Sequence, residues 1–240
     1  MITSGTLAKS GKAYRLVYAQ IPDTPVLAAL HEYVIASLPA EEKTFMLPKP
    51  ESFFEYHLQQ GAGNAVISAY IEERLVAKSI ILHPHESYAY RPLEGTPLPP
   101  QGLSSVSVMQ GTSVHPEYRG NGLMQIMVKA WQKHAADHNR DYLIAEIETR
   151  NVYSLKNFLD EGLSIVSAGY DPLDNAPVSI GYKKRSKFAV ATHLNIPTSD
   201  EIWCDVQDVE RIQQLVAAGY KGISCDIKAG QVKYVKPADI

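Results

Sequence analysis

The chain has 240 residues, enough to bury one full hydrophobic core and leave room for an appendage. Hydrophobic content of 45% and charged content of 20% are those of an ordinary globular protein. A net charge of −3 and a pI near 6.2 argue against nucleic acid or an anionic membrane as the main partner. Met1 to Ser10 lacks an apolar signal core, and no later apolar run could span a bilayer, so a cytoplasmic protein is expected. Cys204 and Cys225 are the only cysteines and have no metal-type spacing. Buried free thiols in a reducing compartment are the favoured reading, a disulfide stays open, and no metal is expected.

Residues 13–20 predict a first strand, and Asp23 is the expected cap of a helix. That helix carries Val26, Leu27, Leu30, Val34 and Leu38 on one face and is closed by Pro39. Glu51 to Gln60 predicts a second short helix whose aromatic face, Phe53, Phe54 and Tyr56, is read first as core packing. Ala65–Ile71 and Leu75–Leu82 form an expected β-hairpin. The proline-rich segment from His83 to Gly102 holds Tyr88, Tyr90 and Arg91 in its middle. A connection this long in a compact domain is more often functional or mobile than idle, which makes it the leading candidate for a lid over a substrate.

Ser105 to Leu123 reads as a strand, a tight glycine-bearing turn and the first turn of an amphipathic helix. Val106, Val108 and Gln110 alternate, Thr112 and Val114 are β-branched, and His115-Pro116 ends the strand. Gly120 and Gly122 permit backbone angles that a β-carbon forbids. Leu123, Ile126, Met127, Ala130, Trp131 and Ala135 then form one apolar stripe, with Lys129, Gln132, Lys133 and Asp137 opposite. A glycine loop entering a helix presents unpaired N–H groups and the positive end of the helix dipole, an anion site suited to phosphate or pyrophosphate. A P-loop would need Gly-Lys-Ser/Thr where Gly122 is followed by Leu123-Met124, and the three spaced glycines of a dinucleotide fold are absent.

The run Val114-His-Pro-Glu-Tyr-Arg119-Gly-Asn-Gly-Leu123 resembles the acetyl-CoA motif of the GNAT family of acyl-CoA N-acyltransferases. The family pattern is Gln/Arg-x-x-Gly-x-Gly/Ala after a strand ending in Val-x-Pro. Arg119 and Gly122 match it, while Met124 stands where Gly or Ala is usual. A second stretch resembles the family's alanine-acetyltransferase subgroup, whose pattern is Leu-Glu-Val-x-x-x-Asn-x-x-Ala/Ser-x-x-x-Tyr-x-x-x-Gly-Phe. Ala145-Glu146-Ile147, Asn151, Ser154, Phe158, Gly162 and Leu163 stand at those spacings. The resemblance covers about residues 12–184.

The resemblance implies an α/β (α+β) fold with a mixed, mostly antiparallel central sheet flanked by helices. Residues 1–185 are expected to form the acetyltransferase domain. Residues 186–240 follow as a small C-terminal βαββ appendage, with Asp208 capping its helix and Gly219 stopping it. Its order repeats that of Tyr142 to Lys183, and partial duplication and convergent patterning are equally compatible with that. The resemblance implies acetyl-CoA as co-substrate, its diphosphate on Arg119, Gly120, Asn121, Gly122, Leu123 and Met124. Thr112 and Val114 would pair with the pantetheine arm, and Asn151 and Ser154 would face the arm or the thiol end. For Asn151 a plain helix cap is the rival role.

A primary amine on a small molecule or protein is the expected acceptor, and a homodimer is allowed. An amine near neutral pH is mostly protonated, so a general base is needed. Glu146 matches the subgroup's glutamate, Glu148 is the runner-up, and both could instead be solvated strand carboxylates. His115 reads more simply as part of the Val-His-Pro turn. Phe158 occupies the position of the family's leaving-group acid, so Tyr153, Tyr182 or water must take that part. A non-catalytic acyl-CoA-binding or sensing module is the alternative function.

Overall fold

The computed structural model describes residues 1–61, 63–85, 90, 93, 95–172, 174–185 and 198–237. Tyr88 and Arg91 of the expected lid lie outside the described residues, as does the start of the C-terminal appendage. The chain divides into two compact units, Met1–Tyr88 with Ser107–Asn139, and Ala89–Val106 with Arg140–Ile240. Among the described residues, no helix is long and apolar enough to cross a membrane.

In the first unit, β1 (Thr3–Thr6), β2 (Ala13–Tyr18), β3 (Ala65–Ile71), β4 (Arg74–Leu82) and β5 (Val106–Val114) pair in sequence order, always antiparallel. Ile80 opposes Gln110 but Lys78 opposes Ser113, so β5 carries one extra residue, a bulge at Gly111 with φ +57°. Helices α1 (Thr24–Ala36) and α2 (Glu51–Gln59) cover one face, where Leu27 and Phe54 meet Ala19, Val66 and Ile80. Helix α3 (Leu123–Asp137) covers the other, because Trp131 donates its indole N–H to Ser107 Oγ at 2.7 Å. Ser107 and Met109 alternate with Val108 and so point away from Ile80.

Three expectations for this unit need correction. Asp23 precedes α1 but does not cap it; its carboxylate accepts the Gln20 N–H at 2.7 Å. The helix ends at Ala36 rather than against Pro39, since Ser37 folds its hydroxyl back to Val34 O at 2.7 Å. Tyr56 is exposed, so α2 packs through Phe54 with Phe53 only partly buried. Strand β1 was not expected from Thr-Ser-Gly-Thr, which is polar and has no alternation; its order comes from pairing with β2.

The second unit contains β6 (Tyr142–Glu148), α4 (Val152–Asp160), β7 (Ser164–Tyr170) and β8 (Pro177–Lys184). These are followed by β9 (Thr198–Asp205), α5 (Val209–Ala217), β10 (Lys221–Asp226) and β11 (Gln231–Pro237). The strand order is β6-β8-β7-β10-β11-β9, again with antiparallel pairs throughout. In each βαββ set the last strand lies between the other two, so both sets have one topology. Asn151 Oδ1 accepts the Ser154 N–H at 3.1 Å, and Asp208 Oδ1 accepts that of Arg211 at 3.0 Å. Gly162 (φ +86°) and Gly219 (φ +89°) each follow their helix in the left-handed region.

The two sets meet where β7 pairs with β10, at Ile165 opposite Gly222. Each helix packs on the other set's strand, α4 on β10 and α5 on β7. Gln213 of α5 donates to Ala168 O of β7 at 3.0 Å, and the Cys225 thiol of β10 lies 3.7 Å from Val152 O of α4. Cys204 and Cys225 are buried free thiols, and burial pushes both up to about 11. A Cβ on Gly222 would stand 2.8 Å from Val232 Cγ1 and 2.9 Å from Ile165 Cβ. Gly222→Ala should therefore lower unfolding stability by about 1–3 kcal/mol in urea titration. An unchanged midpoint would mean that the junction is loosely packed.

Candidate functional site

After β5 the chain makes one 3-10 turn, Pro116–Tyr118, and then passes through Gly120 (φ +72°) and Gly122 (φ +76°). Gly122 is the N-cap of α3 and offers no side chain to its first turn. The helical ladder begins with Ile126 N–H on Gly122 O at 3.0 Å. The N–H groups of Leu123, Met124 and Gln125 thus point out of the helix end without a helical acceptor. A Cβ on Gly120 would meet nothing within 4 Å, so this side of the turn is open.

Asn121 is the residue that fixes the turn. It is 6% exposed, and its Nδ2 donates to Tyr118 O at 3.1 Å and to Arg119 O at 3.4 Å. Its Oδ1 accepts the Ser10 N–H at 3.0 Å. The Asn121 side chain is therefore occupied by the fold, which leaves backbone groups to meet a ligand. Arg119 is exposed, with Nε on Val114 O at 3.4 Å. On β5 the Thr112 hydroxyl is 2.8 Å from Ser79 Oγ, while Val114 opposes Ala77 of β4.

A set of buried cationic and imidazole groups lies under the bulge, and the sequence reading passed over it. Lys78 is 0% exposed, donates to Gly111 O at 2.7 Å and sits 4.8 Å from the Phe54 ring centroid. Burial pushes its pKa far down, and nearby Lys49 adds to the shift. Lys49 stacks its ammonium over Phe53 at 4.7 Å and is likewise lowered by burial. His31 bridges Ser113 Oγ (3.0 Å) and Leu47 O (2.8 Å), and His57 reaches Ile81 O at 3.0 Å. Burial holds both rings down to about 4, so they are neutral at pH 7. Nothing in strand alternation flags Lys78, because a lysine between Ala77 and Ser79 reads as a solvent-facing position.

The second unit carries Glu146, Asn151, Tyr153 and Ser154. Glu146, on β6, accepts the Tyr90 hydroxyl at 2.7 Å and a further hydrogen bond from the Leu93 backbone. Burial raises its pKa above the usual carboxylate range against the opposing effect of those two donors. Tyr90 is itself buried, and burial together with the adjacent carboxylate raises its pKa. Tyr90 belongs to the proline-rich segment, but its contact with this carboxylate had no sequence signal.

Glu148 is instead tied to Arg150, through Nε at 2.9 Å and the backbone N–H at 3.1 Å. Asn151 spends its carbonyl oxygen on the Ser154 N–H, so it does cap α4. Tyr153 is 68% exposed and Phe158 is buried in α4. Tyr182 packs near Tyr142, with ring centroids 6.1 Å apart. His115, in the first unit, stacks on Tyr33 at 4.8 Å and touches Arg74, in keeping with a part in the turn.

Comparison with known proteins gives the family. Residues 29–159 match the family model described as the acetyltransferase (GNAT) family. A search of the curated proteins found no match. Among solved structures, yncA from Salmonella typhimurium, solved with its cofactor acetyl-CoA, aligns with a TM-score of 0.55 at 12% identity. The alignment covers 75% of this chain and 99% of that one. The GNAT domain of S. lividans PAT gives 0.56 at 15% identity, over 76% and 96% of the two chains. Ribosomal-protein-alanine N-acetyltransferase from Brucella melitensis gives 0.53 at 18%, over 71% and 99%. With more than half its length inside the family model and an open, glycine-capped helix start following a bulged strand, the chain belongs to the acetyltransferase (GNAT) family of acyltransferases.

Proposed function

We propose that this protein is a cytoplasmic N-acetyltransferase that moves the acetyl group of acetyl-CoA to a primary amine by direct attack. The acceptor is an amine of a small molecule or protein. The observation that carries the reading is the start of α3, where Gly122 leaves three backbone N–H groups and the helix dipole facing outward. These, with Arg119, Gly120, Asn121 and Met124 of the same turn, hold the diphosphate. Thr112 and Val114 pair with the pantetheine arm, and a backbone N–H near the Gly111 bulge polarises the thioester carbonyl. Asn151 and Ser154 serve the thiol end.

Glu146 takes the proton from the attacking amine. A carboxylate raised by burial is a better base than an exposed one, and Tyr90 keeps it oriented. The amine nitrogen forms its bond to the carbonyl carbon, the carbon–sulfur bond breaks, and the thiolate leaves. Its proton comes from Tyr153 or from water. Residues 1–185 are the acetyltransferase domain in this reading, and 186–240 an appendage.

One observation favours a second reading, a module that binds acyl-CoA without turnover: Phe158, buried in α4, offers no proton where the family has a tyrosine. An amine panel read by thiol release, run beside calorimetry with coenzyme A, separates the two. Turnover on any amine supports the enzyme, whereas tight binding with none on the whole panel supports the module. Coenzyme A should raise the melting temperature, and Gly122→Val should abolish that rise by forcing the left-handed position to re-form.

Glu146→Gln should cut turnover well over tenfold, by roughly 10²–10⁴, with coenzyme A affinity kept. Unchanged turnover would remove Glu146 from the mechanism. Tyr90→Phe deletes a donor that favours the charged carboxylate. The Glu146 pKa should therefore rise further, and the acidic limb of the kcat/KM profile should move to higher pH.

A further inference from the structure

Three histidines converge at the C-terminal end of α3, away from any residue assigned above. His134 and His138 lie one helical turn apart, and His83 follows β4 directly. A ring nitrogen of each lies within 4.8 Å of one in both of the others. The ring centroids are 5.1 Å apart for His83 and His134, 5.2 Å for His83 and His138, and 4.2 Å for His134 and His138. His83 is 0% exposed and His134 is buried, while His138 is open to solvent.

The surroundings are built around these rings. A carbonyl oxygen can only accept, so the ring nitrogens facing carbonyls carry the protons. His134 Nε2 therefore donates to Gly63 O at 2.7 Å, and His138 Nδ1 donates to His134 O at 2.8 Å. The His138 lone pair is therefore left on Nε2. His134 Nδ1 is 2.8 Å from the Tyr18 hydroxyl. Gly63 (φ +88°) comes so close that a Cβ there would collide with His83 Nδ1 and stand 2.7 Å from His138 Cδ2. The adjoining Asn64 accepts the His83 backbone N–H on Oδ1 at 2.7 Å. Ring N–H groups anchored on backbone carbonyls are the usual means of orienting metal-ligating imidazoles. The C-terminal end of a helix also favours a cation.

We propose that His83, His134 and His138 form a binding site for a divalent transition-metal ion of the zinc class. Three imidazoles and one position left to water suit zinc, and imidazole is a poor match for magnesium or calcium. Ligand nitrogens about 2.1 Å from zinc in a tetrahedral site lie about 3.4 Å apart, so the rings close inward by an ångström or so on binding. His134 exchanges one of its two hydrogen bonds for the metal. The ion then ties the end of α3 to the end of β4 and fixes the Gly63 turn between them. Sequence offered only half of this signal, the His-x-x-x-His pair at 134 and 138. The third ligand is about fifty residues earlier, where no spacing rule would join it.

The test uses the full-length chain, free of any histidine tag and stripped of metal by chelation. Zinc titrated calorimetrically should bind one equivalent per chain and raise the melting temperature by about 4 °C or more. Cobalt(II) at the same stoichiometry should give the visible d–d bands of a four- or five-coordinate site. His138→Ala removes an exposed ring and so should keep the apo melting temperature, yet weaken zinc binding by more than roughly tenfold. His83→Asn should do the same. No thermal shift with zinc overturns the proposal, as does unchanged zinc affinity in both variants, which would mark binding elsewhere on the chain. Neither readout depends on acetyl transfer, so failure here leaves the proposed activity standing.

Discussion

Asn121 holds the turn from which the rest of the site follows. It is buried between two left-handed glycines, and its amide ties Tyr118 and Arg119 to the loop between β1 and β2 through Ser10. Those hydrogen bonds join the Asn121 side chain to the Tyr118 and Arg119 carbonyls and the Ser10 N–H, so none of them takes up an N–H group in the first turn of α3. A residue that capped α3 would fill the very N–H groups that an anion requires. The helix start is left open because another element of the unit holds its entry in place.

The bulge in β5 imposes a second constraint of the same kind. An extra residue in one strand leaves a carbonyl and an N–H outside the ladder. The carbonyl of Gly111 is claimed by Lys78, which is buried beneath Phe54 and has no carboxylate partner among the described residues. A buried ammonium without a counter-charge is costly, which explains the depressed pKa of Lys78; burial in the same way keeps the His31 and His57 rings neutral. The strand distortion and the buried lysine thus support one another.

Much of this was legible in the sequence because it is carried by local pattern. The Val114–Leu123 run, the period of α3, the caps at Asn151 and Asp208 and the stops at Gly162 and Gly219 all depend on neighbours within a few residues. The misses are of another type. Strand β1 has no apolar alternation and is made by pairing; Asp23 serves a backbone group before the helix instead of the helix. Tyr90 reaches Glu146 from fifty-six residues away, a pairing no periodicity can express. Lys78 was invisible because alternation gives a residue's face but not what covers that face. The family was readable from two short motifs, whereas the side-chain partners that set each group's charge were not.

The βαββ sets of the second unit also bear on how its sheet ends. β10 meets β7 at Ile165 opposite Gly222, so the second βαββ set continues the sheet of the first within the same polypeptide. Among the described residues, β9 ends the strand order; its exposed face carries Glu201, Trp203 and Asp205, with the Lys233 ammonium 3.0 Å from Glu201 and 5.3 Å from the Trp203 ring. Charged side chains on an edge strand discourage strand-to-strand growth. The described part of the C-terminal segment thus finishes the sheet with a charged strand, where an apolar one would present a flat template to other chains.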